Sequence, residues 1–228
     1  MLGFLWSFIT PLMLMMTYVL VFSIFMRIQM DNFAAYLLSG ILPWMCFTTG
    51  LVEATNSIIS NAGLIKRISL PSQIFPLVNI LTNAVHFIFS IPILILFLVG
   101  FRIDLSWALL LFPVVLFIQL LFTYGLALFI SSLVVQFRDF LYIVPNLLMI
   151  WMFLTPIIYP VSMVPEKFRP LLNANPMTHI AEAYHAIFYY GRLPSPGYLT
   201  GVALISLVLV LLGLSFFESR KDMFAEEI

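Results

Sequence analysis

The chain is built mostly of apolar residues. Of its 228 residues, 63% are hydrophobic and only 9% are charged, whereas a soluble domain carries about 25% charged residues. Ten basic and ten acidic residues leave no net charge, so no overall field would attract nucleic acid or an anionic surface. A single cysteine, Cys46, excludes an intrachain disulfide framework. These features exclude a soluble or disulfide-stapled fold and predict one membrane domain over residues 1–228.

Charged residues divide the sequence into six apolar stretches that are long enough to cross about 30 Å of hydrocarbon. All six should be α-helices, because a backbone in lipid must satisfy its own hydrogen bonds and the sequence lacks the alternation of a barrel. An even number of spans places both termini on one side. Basic residues are equally numerous on the two sides, so the positive-inside rule does not orient the chain. The predicted spans cover residues 4–26, 33–52, 75–99, 107–135, 141–159 and 198–217.

The segment at residues 56–69, NSIISNAGLIKRIS, is typical of a short amphipathic element at the water boundary. Its isoleucines and leucines lie beside the basic pair Lys66 and Arg67, and Pro71 ends any helix there. The segment is too polar to be buried in lipid and too short to form a domain.

A second amphipathic helix is predicted at residues 175–191, with Asn175 as N-cap, Pro176 at the first helical position and Gly191 just past the end. We expect it to lie along the interface, or to dip into the membrane without crossing it. Its apolar residues recur at helical spacing. They are Met177, Ile180, Ala181, Tyr184, Ile187 and Phe188, and the opposite face carries Thr178, His179, Glu182 and His185.

The chain contains no phosphate-binding loop of the Walker A type. None of its three lysines, Lys66, Lys167 and Lys221, follows a glycine. An ATP-driven function would therefore need its ATPase on another subunit.

Ionisable residues at mid-membrane depth, which ion-coupled transport normally needs, are few. His86 lies well inside the third span, and Glu53 lies near the end of the second. Each also has an ordinary structural interpretation, as a neutral histidine bonded to a neighbouring helix and as an interfacial carboxylate. The sequence therefore favours a transporter that is not driven by an ion gradient.

His179, Glu182 and His185 form an HxxExxH pattern, which permits a hypothesis from a different class, a membrane-embedded metal enzyme. The zincin pattern HExxH places its histidines four residues apart. Here they are six apart and spread over roughly a third of the helix circumference. The alternative interpretation is the polar face of an interfacial helix, and metal analysis of the pure protein separates the two.

Aromatic residues are abundant, with 23 Phe, 9 Tyr and 4 Trp, so some of them are available to stack on sugar rings in a conduit. Tyr and Trp near the ends of spans are also common interface anchors, and the sequence does not separate the two roles. The residues concerned are Tyr18, Tyr36, Trp44, Tyr124, Trp151 and Tyr159.

Several stretches, in a fixed order along nearly the whole chain, match the pattern of a known family. Each is weak alone, but the order is specific. Together they resemble the type-2 ATP-binding-cassette permeases that export polysaccharides and polyol phosphates. The stretches are LGFLWSFITPLMLMMTYVLVFSIF (2–25), LLSGILPW (37–44), TNSIISNAGLIKRISLP (55–71), FRDFLYIVP (137–145), LTPIIYP (154–160), VPEKFR (164–169) and NPMTHIAEAYHAIFYYGRLP (175–194).

The resemblance implies an integral membrane subunit that works as a homodimer with two copies of a cytoplasmic ATPase, which carries the ATP and Mg. The substrates it implies are lipid-linked O-antigen, teichoic acid or capsular glycan, moved outward across the bacterial inner membrane. It places both termini in the cytoplasm. The family pattern also includes a basic amphipathic segment ahead of the position of Met1, on the cytoplasmic leaflet.

The resemblance also assigns roles to individual residues. The family's ATPase-coupling element falls on residues 61–71, and its Arg-Asp pair between the fourth and fifth spans falls on Arg138 and Asp139. The first and fifth spans would line the translocation path, with Tyr18, Trp151 and Tyr159 as candidate sugar-stacking residues. No residue is expected to perform covalent chemistry. The predicted coupling residues are Asn61, Leu64, Ile65, Lys66 and Arg67.

An alternative function within the same family is the export of a drug or a small lipid. The sequence does not name the glycan, because stacking on aromatic rings tolerates different sugars.

Overall fold

The computed structural model describes residues 3–18, 20–21, 30, 32–65, 71–221 and 224. These residues contain helices and no strand, which confirms the predicted all-α class. The α-helices are α1 (Gly3–Tyr18), α2 (Phe33–Ser60), α3 (Ala62–Ile65), α4 (Ile74–Gly100), α5 (Phe112–Gln136), α6 (Phe140–Phe153), α7 (Arg169–Ala174), α8 (Pro176–Phe188) and α9 (Pro196–Glu218).

Among the described residues, four helices are long and apolar enough to cross a membrane. They are α2, α4, α9 and the continuous helix Trp107–Gln136, which consists of a 3-10 turn followed by α5. Three of these match predicted spans to within two residues at each end. The fourth, α2, runs to Ser60, well past the predicted end at residue 52.

The other two predicted spans are matched in part. Within the span at 4–26, α1 covers Gly3–Tyr18 and residues 20–21 are also helical, while residues 19 and 22–26 lie outside the described residues. In the span predicted at 141–159, α6 already ends at Phe153 and the chain then turns. Pro156 explains this end, because proline lacks an N–H and disfavours a helical conformation at the preceding Thr155.

The chain divides into two compact units, and each is made of three separate segments. Unit 1 comprises Met1–Trp44, Val85–Val115 and Met152–Leu199, and unit 2 comprises Met45–Ala84, Leu116–Trp151 and Thr200–Ile228. The single-domain organisation expected from the sequence stays a prediction.

Unit 2 is held together by an apolar cluster and by close contact between helix backbones. The cluster consists of Ile58, Leu128, Val135, Phe217 and Phe224. A Cβ atom placed at position 213 of α9 would lie 2.8 Å from the carbonyl oxygen of residue 125 in α5. Glycine at both positions therefore lets the two backbones approach, as small residues do at helix contacts in membranes.

A polar contact joins α2 to α4 within unit 2. The side-chain amide of Asn83 donates a hydrogen bond to Glu53 Oε2 at 2.6 Å, and its Oδ1 lies 2.8 Å from the Thr49 hydroxyl. Glu53 thus has a hydrogen-bonding partner on a neighbouring helix, although the sequence suggested an interfacial carboxylate. This bond accounts for a carboxylate within a continuous apolar helix.

Candidate functional site

A cavity of about 470 Å³ lies within unit 1. Its volume falls in the range of roughly 300–1,000 Å³ that is typical of small-molecule sites. Its walls come from α2, residues 160–162 after α6, α8, the loop after α8 and the first turn of α9. The lining is rich in side chains that stack or hydrogen-bond, among them Tyr36, His179, Glu182, Tyr190, Arg192 and Tyr198.

The local sequence positions α8 as predicted. Asn175 is the N-cap, and its Oδ1 accepts a hydrogen bond from the backbone N–H of Met177 at 3.1 Å. At the other end, Gly191 has a φ of +59°, a left-handed conformation that glycine adopts without strain. The chain reverses there, and the backbone N–H of Arg192 donates to Ala186 O at 2.9 Å. This turn carries Arg192 into the wall of the cavity.

The apolar face of α8 is buried, as the helical spacing predicted. The predicted polar face is only partly accessible, because Thr178 and His185 are also buried. His185 Nδ1 lies 2.9 Å from Ser39 Oγ, and its Nε2 lies 3.3 Å from Pro156 O. The sequence pattern placed His185 correctly on the helix but did not show that α2 and the turn after α6 cover it.

Tyr36 and His185 are buried residues of the cavity lining. Their rings stack with centroids 3.9 Å apart and an interplanar angle of 6°, and the Tyr36 hydroxyl donates to Tyr159 O at 3.1 Å. Gly40 makes room for the pair, since a Cβ atom there would lie 2.6 Å from His185 Cε1. Burial lowers the pKa of His185 well below its usual range, so the ring is neutral at physiological pH.

Two further tyrosines of the lining, Tyr190 and Tyr198, are exposed, and each contacts a partner side chain. The ring of Tyr198 stacks on His179 at 4.4 Å and 9°, and the ring of His179 is fixed by a hydrogen bond from Nε2 to Asn173 O at 2.8 Å. The guanidinium of Arg192 lies 4.6 Å above the ring of Tyr190. Both tyrosine rings are therefore oriented in advance by cation–π or stacking contacts.

Glu182 supplies the carboxyl group of the cavity. The surrounding walls partly desolvate it and raise its pKa, while nearby His179 and Arg192 act in the opposite direction. The cavity thus holds a hydrogen-bond acceptor, Glu182, and a donor of opposite charge, Arg192, within one lining.

The structure describes the predicted coupling residues only in part. Asn61 donates a side-chain hydrogen bond to Ser57 O at 2.8 Å and accepts one on its backbone oxygen from Leu64. Leu64 is exposed and Ile65 is partly buried in the one-turn helix α3. Lys66 and Arg67 lie outside the described residues.

The predicted Arg-Asp pair lies in a turn immediately before α6. Arg138 and Asp139 are both exposed, and the backbone oxygen of Asp139 accepts hydrogen bonds from Tyr142 and Ile143 in the first turn of the helix. Their side chains are therefore accessible for contact with another molecule.

The three predicted path aromatics are divided between the two units, with Tyr18 and Tyr159 in unit 1 and Trp151 in unit 2. Tyr18 packs against the cluster of Phe33, Tyr36 and Leu37 in unit 1. Tyr159, also in unit 1, donates its hydroxyl to Phe153 O at 2.8 Å. Trp151 belongs to unit 2, where its ring meets Phe47 edge-on at 5.6 Å.

The HxxExxH pattern is not assembled as a metal site in the part of the chain that the structure describes. There, no group of three His, Cys, Asp or Glu side chains is placed to hold a metal ion. His179, Glu182 and His185 all line the cavity, but the two ring nitrogens of His185 lie within hydrogen-bonding distance of Ser39 Oγ and Pro156 O.

Sequence reasoning missed Tyr190, Arg192 and Tyr198 as members of a site. The stretch YYGRLP, with its tyrosines and arginine around a glycine, could have drawn attention to the loop. The loop lines one cavity with α8 and α9 only because of the way the chain folds back, and the local pattern does not give that path.

Comparison with known proteins bears out the family resemblance. Residues 1–189 match the family described as ABC-2 type transporter. The chain is 39% identical to the O-antigen export system permease protein RfbA of Myxococcus xanthus, over 100% of this chain and 88% of that protein. It is 34% identical to the RfbA protein of Klebsiella pneumoniae, over 98% and 86% of the two chains. The polysialic acid transport protein KpsM of Escherichia coli is 24% identical over 97% and 87%. The chain therefore belongs to the ABC-2 type transporter family and is an integral membrane transport protein.

Proposed function

We propose that this chain is the membrane subunit of an ATP-driven exporter that moves a lipid-linked polysaccharide or polyol phosphate outward across the bacterial inner membrane. The candidate substrates are O-antigen, teichoic acid and capsule, and O-antigen is tested first because the relatives that are 39% and 34% identical are named for its export. The observation that carries the proposal is the similarity, over essentially the whole chain, to permeases named for O-antigen export. The four apolar helices support it, because they supply the membrane-embedded part that such a subunit needs.

The energy source of this exporter is a separate subunit. No lysine of the chain lies in a glycine-rich phosphate loop, so ATP and Mg are bound by a partner ATPase and this chain carries no cofactor of its own. We propose a homodimer with two copies of that ATPase, with the translocation path between the two permease copies.

The proposed topology has six spans, with both termini in the cytoplasm. Four of these spans are the membrane-length helices. The other two are a first span that includes α1 and a fifth span that includes α6. In this orientation α8 and the loop after it lie on the outer side, and the segment around α3 lies in the cytoplasm.

Coupling in this proposal runs through Asn61, Leu64, Ile65, Lys66 and Arg67. An exposed helical turn with a basic pair suits docking in a groove of the ATPase. Closure of the ATPase on ATP then moves this element as a rigid body and tilts the spans. Tyr18, Trp151 and Tyr159 contact the glycan along the path.

The proposed function is tested in a strain from which the gene for this chain is deleted. We expect the chain together with its proposed partner ATPase to restore glycan at the cell surface. We expect the chain alone to hydrolyse no ATP after purification. Normal surface glycan in the deletion strain, or robust ATP hydrolysis by the chain alone, would contradict the proposal.

The coupling assignment has its own test, the double substitution Lys66→Glu and Arg67→Glu. Like charges brought together at an interface cost several kcal/mol, so the ATPase should no longer co-purify and export should stop. The matched control is Lys167→Glu with Arg102→Glu, which reverses two exposed basic residues outside the coupling segment. Normal co-purification and export in the first double variant would show that the coupling element lies elsewhere.

A further inference from the structure

We propose that the cavity of unit 1 binds a neutral sugar residue of the exported glycan, between the rings of Tyr190 and Tyr198 and the polar pair Glu182 and Arg192. The proposal rests on the proposed function and adds a substrate site to it. This site differs from the aromatic residues that the family resemblance assigned to the path.

The two tyrosines provide preformed surfaces for a sugar ring. Tyr190 is 44% exposed and Tyr198 is 52% exposed, although each is held on one side by Arg192 or His179. The face of an aromatic ring is electron-rich and attracts the slightly positive C–H groups that cover one side of a pyranose. Because both rings are already oriented, a bound sugar need not order them.

The polar pair matches the hydroxyl groups at the rim of a sugar. A hydroxyl both donates and accepts hydrogen bonds. A carboxylate accepts and a guanidinium donates, and bonds to such charged groups are stronger than neutral ones. Glu182 and Arg192 in one lining therefore engage two hydroxyls of one ring, or of neighbouring rings, at the same time.

The charge balance selects a neutral ligand over an anionic one. The acidic side chain of the lining, Glu182, offsets its basic side chain, Arg192. A phosphate or a uronic acid would gain one arginine but would lie beside a carboxylate, and like charges at short range repel. A neutral sugar uses both groups without that repulsion.

The shape of the cavity supports a specific site. The buried part of its lining is fixed by contacts, since Tyr36 and His185 are stacked and their polar atoms are bonded to Ser39, Pro156 and Tyr159. The rest of its wall comes from residues 160–162, α8, the loop after α8 and the first turn of α9. A sugar bound here would contact both helices.

The test is saturation-transfer NMR on the full chain in phosphatidylcholine nanodiscs. The probes are the methyl glycosides of glucose, galactose, mannose, rhamnose and N-acetylglucosamine, with glucuronic acid and glucose 1-phosphate as anionic counterparts. We expect at least one neutral glycoside to bind and both anions to bind more weakly. Tyr198→Ala should weaken binding by roughly 3- to 10-fold, the range for losing one aromatic contact, whereas Tyr198→Phe should retain it.

Tyr142→Ala is the matched control, because Tyr142 is an exposed tyrosine of unit 2 and does not line the cavity. Equal binding by Tyr198→Ala and Tyr142→Ala would overturn the proposal. So would an absence of signal from every neutral glycoside, or tighter binding of the anions.

The same variants, expressed in the deletion strain, separate this proposal from the proposed function. If wild type restores surface glycan but Tyr198→Ala does so equally well and binds normally, the sugar site is wrong and the function stands. If wild type with its ATPase restores no glycan, the proposed function fails, whatever the glycosides do. Restoration by wild type with a reduced amount of surface glycan for Tyr198→Ala supports both.

Discussion

The helices α2 and α9 are both long enough to cross a bilayer, yet they are placed very differently within the chain. In an apolar window of 18 residues, 78% of the α2 window is buried in the protein, whereas only 17% of the α9 window is buried. Mean hydropathy has the opposite order. Among the four membrane-length helices it is lowest in α2 and highest in α9. Apolar character therefore does not predict which helix is surrounded by protein.

The reason lies in the solvent. Lipid is as apolar as the side chains of the helices, so moving an apolar side chain from lipid into a helix contact gains little free energy. Helix contacts in a membrane therefore depend on small residues and on polar groups that bond across helices. α2 carries such residues at buried positions, including Ser39, Gly40 and Ser57. α9 exposes large apolar side chains, among them Leu204 and Leu211, which suit lipid or a second copy of the chain.

The largest expected effect is that of Gly40→Leu in α2. The new side chain would enter the space of the His185 ring, which is held by Tyr36, Ser39 and Pro156. Overpacking of this kind costs about 1–3 kcal/mol, and more where neighbours are fixed. We expect little folded protein, measured as the monodisperse yield from fluorescence-detected gel filtration.

The control for Gly40→Leu is Gly201→Leu in α9, where a Cβ atom meets nothing within 4 Å. We expect wild-type yield there, because a glycine in a helix is itself unfavourable by roughly 0.5–1 kcal/mol. Equal yields for the two variants would remove the contrast between α2 and α9.

A somewhat smaller effect is expected from Gly213→Ala at the tightest contact of α9. Its Cβ atom would lie 2.8 Å from a backbone oxygen of α5 and 3.1 Å from Leu128 Cβ. The helices must separate to admit it, which costs about 1–3 kcal/mol. The thermal midpoint in detergent should fall for this variant and stay unchanged for Gly197→Ala, which is in open space. An unchanged midpoint for both would mean that the α5–α9 contact adapts.

The helices could be predicted well from the sequence, because the rules that specify them are local. Charged residues mark where apolar runs stop, and Asn175, Pro176 and Gly191 give the ends of α8 directly. The length of α6 was predicted less well, since a run of apolar residues does not reveal that Pro156 already ends the helix. The burial of α2 was not predictable either, because it depends on partners far along the chain.

An intermediate effect is expected from Asn83→Leu, which removes the polar link from α4 to Glu53 and Thr49 on α2. Hydrogen bonds between membrane helices contribute about 0.6 kcal/mol on average and up to about 1.7. We expect the thermal midpoint to fall by a few degrees. Asn79→Leu is the matched control, since the side-chain bond of Asn79 is to Phe75 O within its own helix. A larger loss for Asn79→Leu than for Asn83→Leu would contradict the role of the link.

The cavity could not be predicted from the sequence, although several of its residues were noticed. His179 and Glu182 stood out through their spacing, and Tyr36 through its ring. They come together with Arg192 and Tyr198 only because the left-handed Gly191 turns the chain back after α8. Such a turn is recognisable locally, but the side chains that it brings near each other are not.

The smallest expected effect concerns Glu182. It lines the cavity together with residues of α2 and of the first turn of α9. Its pKa is raised mainly by partial desolvation, against the opposing influence of His179 and Arg192. The folded state therefore binds the proton more tightly than the unfolded state does, and its stability falls as the pH rises from about the ordinary value of 4.5 through the raised pKa.

Glu182→Gln removes that unfavourable ionisation, so its thermal midpoint should exceed that of wild type at pH 7.5, and the difference should shrink toward pH 4. Glu166→Gln, at an exposed carboxylate outside the cavity, should show no such pH-dependent gain. A midpoint for Glu182→Gln below that of wild type at pH 7.5 would mean instead that the ionised carboxylate stabilises the empty cavity through Arg192 and His179.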